Sequence, residues 1–208
     1  MSAEERVWVR SGKLELEAIL HKPTGGVRGW ALVCHPHPLY GGNMYNNVVV
    51  ALAYRLAEEG LSTLRFNFRG VGDSQGTYEG EDACVEDVLA CMEFLRELGE
   101  EELYLLGYSF GAYVGLRALL EAEAKAAVAI SPPLLMYGFE FLKDVETPLL
   151  IVCGGRDVFS PNCPSLETYL FPGSKLVVVD EADHFWWGLE QKLVDEVWEF
   201  LKNFVEWG

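Results

Sequence analysis

LYLLGYSFGAYVGLRALL, residues 103–120, runs from an unbroken apolar segment through Gly-Tyr-Ser-Phe-Gly into a second apolar segment with helical spacing. A short run that is apolar at every position reads as a strand covered on both faces, the kind found in parallel sheets flanked by helices. The glycines two residues either side of Ser109 let the chain turn sharply from that strand into the helix. G-x-S-x-G recurs as GDSQG, residues 72–76, but with loop residues on both sides. There a turn built from Gly, Asp and Ser explains the pattern. The longer GVGDSQG has the wrong glycine spacing and no following helix for a dinucleotide fingerprint. Context selects Ser109 as the candidate nucleophile.

Outward from this stretch the chain alternates between strand-like and helix-like segments. VWVR and LELEAILH flank Ser11-Gly12-Lys13 as a hairpin, and WALVCH, LSTLRFNF, AAVAIS, PLLIVCG and KLVVVD are further buried-type strands. Residues 44–59 read as a helix ending at Gly60, and Val85, Val88, Leu89, Met92, Leu95 and Leu98 form the apolar stripe of another. Leu189 to Val205 is amphipathic. Eight strands, mostly with helices between them, predict a single α/β domain over residues 1–208: a mostly parallel sheet with helices on both faces. In such sheets the ligand site lies at the carboxyl ends of the strands.

The formal charge of −16 argues against nucleic acid and disfavours anionic lipid surfaces and strongly anionic substrates. The amino terminus shows no secretory signal, and no apolar run reaches the ~18 residues of a membrane helix. Five dispersed cysteines without a C-x-x-C pair suit a reducing cytosol, with Cys34 and Cys153 as core fillers. The composition predicts a soluble, cytoplasmic protein.

A serine hydroxyl needs a base, and the base an acid to hold it. Of four histidines, His21 lies within a strand, His35 and His37 follow the third strand, and His184 follows the last. His184 is the expected base, and Asp157, after PLLIVCG, the expected acid. Glu181 and Asp183 lie too near His184 in sequence to reach its Nδ1 comfortably, and Asp180 is a weaker rival. In VCHPHPLYGGN, residues 33–43, His35 and His37 could chelate a metal or could shape a turn. No third ligand stands nearby without dismantling the proposed triad, which leaves His35 as a loop anchor.

Taken together, CHPHPLYGGNMYNNVV, LRFNFRGVGDSQG, LLGYSFGAYVGL, VCGGRDVFSP and EADHFWWG resemble the α/β-hydrolase superfamily over essentially the whole chain, in particular small members with little or no lid. The resemblance implies Ser109 after the fifth strand, Asp157 after the seventh and His184 after the eighth. It also implies an oxyanion hole from the backbone N–H of Phe110 and one from the loop after the third strand. Prolines 36 and 38 have no N–H, leaving His37 or Leu39; His37 matches the family's usual donor.

The implied chemistry is hydrolysis of a small carboxylic ester through an acyl-enzyme, without metal or cofactor. A peptidase, thioesterase or lactonase on the same residues, or a non-catalytic binding module, is the alternative. Only Pro132 to Thr147 separate the sixth and seventh strands, too little for a cap domain. Leu39, Tyr137, Phe139, Trp186 and Trp187 are the expected pocket, with Met136, Tyr137, Phe139 and Phe141 forming either a small flap or core. An open site of this kind suits short acyl chains.

Overall fold

The computed structural model describes residues 3–99 and 102–206. Among them run eight strands: β1 (Ala3–Ser11), β2 (Leu14–Lys22), β3 (Trp30–Cys34), β4 (Ser62–Phe66), β5 (Leu103–Tyr108), β6 (Ala126–Ile130), β7 (Leu149–Gly154) and β8 (Lys175–Val179). The α-helices are α1 (Asn47–Glu58), α2 (Glu81–Leu98), α3 (Phe110–Ala118) and α4 (Glu190–Leu201). The strands form one sheet in the order β1-β2-β4-β3-β5-β6-β7-β8. β1 and β4 each pair antiparallel with β2, and every other pairing is parallel.

Both faces of the parallel strands are covered, which is why their sequences do not alternate with polar residues. In β5, Leu103 and Leu105 pack towards α2 and α3, whereas Tyr104, Leu106 and Tyr108 pack towards α1 and α4. β3 and β7 divide in the same way. The chain steps from β3 to β4 on one side and then returns to β5 on the other. The strand order therefore reverses at β3 and β5, and a crevice opens beyond their carboxyl ends.

Two local differences from the sequence reading have simple causes. The helix expected from residue 44 begins at Asn47, because the Asn46 side chain accepts the Val48 N–H as an N-cap. The β7–β8 connection contains a 3-10 segment, Cys163–Tyr169. At its start Cys163 is disulfide-bonded to Cys153 of β7, with Cα atoms 6.5 Å apart. Cys153 is therefore half of a crosslink and not a free core filler, and the expectation of five reduced thiols is corrected at these two positions. Cys34, Cys84 and Cys91 are free and buried. No helix among the described residues is long and apolar enough to cross a membrane.

One buried charge ties the hairpin, the glycine-rich loop and α2 together. Asp87 sits on the buried face of α2 with no exposed surface. It accepts the Ser11 hydroxyl at 2.8 Å, the Arg69 backbone N–H at 3.0 Å and the Arg69 guanidinium at 2.8 Å. The Asp87 hydrogen bond pushes the Arg69 pKa further up. Removing one partner of such a pair leaves the other charge buried, which costs about 3–5 kcal/mol. Asp87→Ala is thus expected to lower the urea midpoint and the Tm sharply, with Asp87→Asn intermediate. Wild-type unfolding curves for the alanine variant would show that this contact carries little.

Candidate active site

Ser109 lies in the sharp turn between β5 and α3 at φ 55° and ψ −118°. A non-glycine residue holds such a backbone only when its surroundings force it. One restraint is its own N–H, which donates to the Ile130 carbonyl at the end of β6 at 2.8 Å. The others are the two flanking glycines. A Cβ at Gly107 would overlap the Gly111 carbonyl, and one at Gly111 would overlap the Cys34 carbonyl. The first turn of α3 consequently lies directly against the end of β3.

The Ser109 hydroxyl is 3.0 Å from His184 Nε2. His184 Nδ1 is 2.8 Å from Asp157 Oδ2 and 3.0 Å from Oδ1. The loops after β5, β7 and β8 thus bring the three expected residues into one hydrogen-bonded line. Asp157 Oδ1 also accepts the N–H groups of Phe159 at 2.9 Å and Ser160 at 3.2 Å. Burial pushes the Asp157 carboxyl up, but the His184 hydrogen bond and charge, the Ser131 hydroxyl and the Phe159 N–H outweigh it and hold it below its usual value. Tyr108 donates its hydroxyl to the His184 carbonyl at 2.7 Å, steadying the loop that carries the imidazole. The rival acids are occupied elsewhere: Glu181 pairs with Lys192, and Asp183 accepts the Phe185 N–H.

The two histidines of VCHPHPLYGGN do different jobs. His35 is fully buried; its Nε2 accepts the Phe68 N–H at 3.1 Å, so Nδ1 carries the proton and donates to the Pro36 carbonyl at 2.6 Å. Burial pushes its pKa down to about 3. Both nitrogens are engaged with backbone, so neither is free for a metal without breaking the loop's attachment. The His37 side chain accepts the Leu39 N–H at 3.1 Å, and its carbonyl accepts those of Tyr40 and Gly42. Leu39 therefore has no N–H to spare. Among the described residues, the N–H groups of His37 and Phe110 meet no protein acceptor. The His37 ring packs on Phe110 at 4.5 Å.

Ser74 of the second G-x-S-x-G is buried. Its hydroxyl donates to the Asn67 carbonyl at 2.6 Å and accepts the Glu17 N–H at 2.9 Å. It fastens its loop to β2 and belongs to no histidine.

A cavity of about 480 Å³ opens above Ser109 and His184. Of the five expected pocket residues only Tyr137 lines it. Trp186 is fully buried in the core with its indole N–H on Ser131, and Phe139 is buried against Tyr113 and Phe141. Leu39 and Trp187 are largely exposed and outside the cavity. Met136 of the expected flap joins Tyr137, and Tyr40, Phe159 and Phe185 supply the remaining apolar walls. The adjacency of Phe159 to Asp157 and of Phe185 to His184 was the available signal for two of them.

Comparisons with known proteins place the fold in a family. A family model described as "Serine aminopeptidase, S33" matches residues 31–141, and the chain belongs to this family of α/β hydrolases. An uncharacterized protein of Rickettsia prowazekii is 41% identical over 169 residues, which are 74% of this chain and 71% of that protein. An alpha-beta serine hydrolase homologue from Coxiella burnetii superimposes with a TM-score of 0.86 at 32% identity, covering 97% of each chain. A Xanthomonas campestris protein described as a serine hydrolase without a lid gives a TM-score of 0.90 at 29% identity, covering 99% of this chain and 96% of its own. The chain is a lid-less α/β hydrolase.

The buried His35 gives this fold a pH signature. Its folded pKa of about 3 lies below its ordinary 6.5. Between those values the unfolded chain takes up a proton that the folded one refuses, so this stabilisation is complete above about pH 6.5 and is lost as pH falls. The slope is about 1.4 kcal/mol per pH unit for one proton. Urea unfolding between about pH 7 and about pH 4.5 should show this component in wild type and lack it in His35→Gln. An equal slope in both would locate the proton uptake elsewhere.

Proposed function

We propose that this hydrolase cleaves carboxylic esters with short acyl groups through Ser109, His184 and Asp157. The observation that carries the reading is the line from the Ser109 hydroxyl through His184 to Asp157, opening on an apolar cavity beside two unpaired N–H groups. His184 takes the Ser109 proton as the serine oxygen attacks the carbonyl carbon. The resulting oxyanion accepts hydrogen bonds from the N–H groups of His37 and Phe110, at the positive end of the α3 dipole. Collapse of this intermediate breaks the ester bond, and His184 returns the proton to the departing alcohol. Water, deprotonated by His184, then attacks the acyl-enzyme, and the carboxylic acid leaves with Ser109 restored. The reaction so written uses neither metal nor cofactor.

Asp157, by holding Nδ1, fixes the tautomer that leaves Nε2 free to accept the serine proton. The walls of the cavity are mainly aromatic, and its mouth is uncapped. They suit a small acyl group, and a long tail would run into water and gain nothing from burial. The family description favours one second reading, an aminoacyl amide or peptide as substrate of the same residues. A panel of esters, thioesters, lactones and aminoacyl amides separates the leaving groups.

Two outcomes are expected. Ser109→Ala should abolish hydrolysis and fluorophosphonate labelling while leaving the Tm near wild type. Ser74→Ala should lose stability but keep most activity, and the reverse pattern would transfer the nucleophile to the second motif. Across p-nitrophenyl esters, kcat/KM should peak at about two to six acyl carbons, since each further methylene gains ~0.8 kcal/mol only when buried. A steady rise to about twelve carbons would reveal a long acyl groove.

A further inference from the structure

Among the described residues, the wall of the cavity above Ser109 contains one residue with a side-chain amide, Asn46. Asn46 is partly buried and immediately precedes α1. Its backbone is fully engaged: the N–H donates to the Asn43 carbonyl at 3.1 Å, and the carbonyl accepts the Val50 N–H at 2.9 Å. Its Oδ1 accepts the Val48 N–H at 3.0 Å, which fixes the plane of the amide. The other end of a side-chain amide carries two N–H donors. Nδ2 is the one polar atom of Asn46 that meets no protein partner among the described residues.

The adjacent residue shows which part of the cavity this is. Asn47 Nδ2 donates to the Phe185 carbonyl at 3.1 Å and to Glu190 Oε1 at 2.8 Å, fastening the start of α1 to the loop after β8. The Phe185 ring lies 5.6 Å from the His184 imidazole, and that of Phe159 lies 4.8 Å from it. The opposite wall belongs to the proposed oxyanion donors, with Tyr40 4.7 Å from the His37 ring and Tyr137 6.1 Å from Phe110. In ester cleavage the base hands its proton to the leaving oxygen, so the alcohol half has to lie on the imidazole side. The acyl half is left with the space beside Tyr40 and Tyr137.

We propose that Asn46 is a specificity residue whose Nδ2 binds an oxygen acceptor in the alcohol half of the substrate, so that the preferred leaving groups are oxygenated alcohols of the glycol or polyol type. The proposal rests on the ester reading under Proposed function and adds the chemistry of the leaving group to it. An alkyl chain that displaces solvent from Nδ2 leaves the donor unpaired, which is costly. An ether or hydroxyl oxygen in the same place replaces the lost bond. The acceptor is a neutral oxygen, matched to a neutral donor between aromatic walls.

Matched butyrate esters test it: methoxyethyl against n-butyl, and terminal methoxypropyl against n-pentyl, each pair exchanging one methylene for oxygen. Dividing each kcat/KM by the ester's rate of hydrolysis in hydroxide removes the difference in leaving-group acidity. Wild type should favour the methoxy ester of at least one pair by about three- to tenfold. Asn46→Ser keeps an oxygen for the Val48 N–H but withdraws the amide, and should bring that ratio to about one or below. Asn46→Asp keeps the cap and exchanges the donor for an anion. There the ratio should fall likewise, while butyrylcholine gains at least about threefold on its uncharged dimethylbutyl isostere relative to wild type. Each ratio is taken within one variant, so changes in stability or at His184 cancel. Wild-type ratios near one in both pairs, or a ratio that Asn46→Ser leaves unchanged, would overturn the proposal. So would a loss of discrimination confined to ethyl methoxypropanoate against ethyl pentanoate, which puts Asn46 beside the acyl half. Should both variants fail to fold, the wild-type ratios decide. If wild type hydrolyses none of these esters and Ser109 takes no fluorophosphonate, the ester reading falls and takes this one with it; hydrolysis with unaltered ratios overturns this one alone.

Discussion

Gly111 crosses the backbone of Cys34 and His35 too closely to admit any side chain, and the geometry at the sheet's carboxyl edge depends on that crossing. Any side chain at position 111 would push α3 away from β3. The N–H of Phe110 would then separate from that of His37, and the turn that strains Ser109 would relax. Gly42 has a similar role in the neighbouring loop, where a Cβ would overlap the Pro36 carbonyl. The two proposed oxyanion donors, which come from different strands, are therefore set by backbone contact and not by side-chain packing, which adjusts more readily.

Around this crossing lies a ring of buried polar anchors. His35 holds the end of β3 to Phe68; Asn67 accepts the Met44 N–H at 2.8 Å and donates to Glu17 at 2.8 Å; Ser74 ties its loop to β2. Each group is costly to bury alone and rigid once paired. They turn three surface loops into a firm base, which a lid-less site needs because no second domain closes over it. The excess negative charge lies mostly outside this ring, on exposed glutamates.

Much of this was readable in the sequence, for physical reasons. Strands buried on both faces announce themselves as continuous apolar runs, and the glycine pair around Ser109 signals a close approach that only glycine permits. The order Ser109, Asp157, His184 followed from strand ends. The pocket walls did not follow. A loop aromatic has no periodicity to say which way it points, and at Trp186 a positive φ turns the indole into the core. Asp87 left a faint trace as a carboxylate on the apolar side of α2, but its pairing with Arg69 depends on tertiary contact. The Cys153–Cys163 bond left none, because ten residues of loop can close or stay open with equal ease in the sequence pattern.

That bond has a chemical consequence. Thiol–disulfide exchange needs an attacking thiolate, and the three remaining cysteines are all buried. Burial pushes their pKa values up, to about 12 at Cys84 and further at Cys34 and Cys91. The folded chain thus contains no internal nucleophile able to reshuffle the crosslink that closes the Asp157 loop. It also exposes no thiol, among the described residues, through which two copies could become covalently joined. Any exchange at this bond has to begin with a thiolate from outside the chain, attacking one of two residues that are themselves almost wholly shielded.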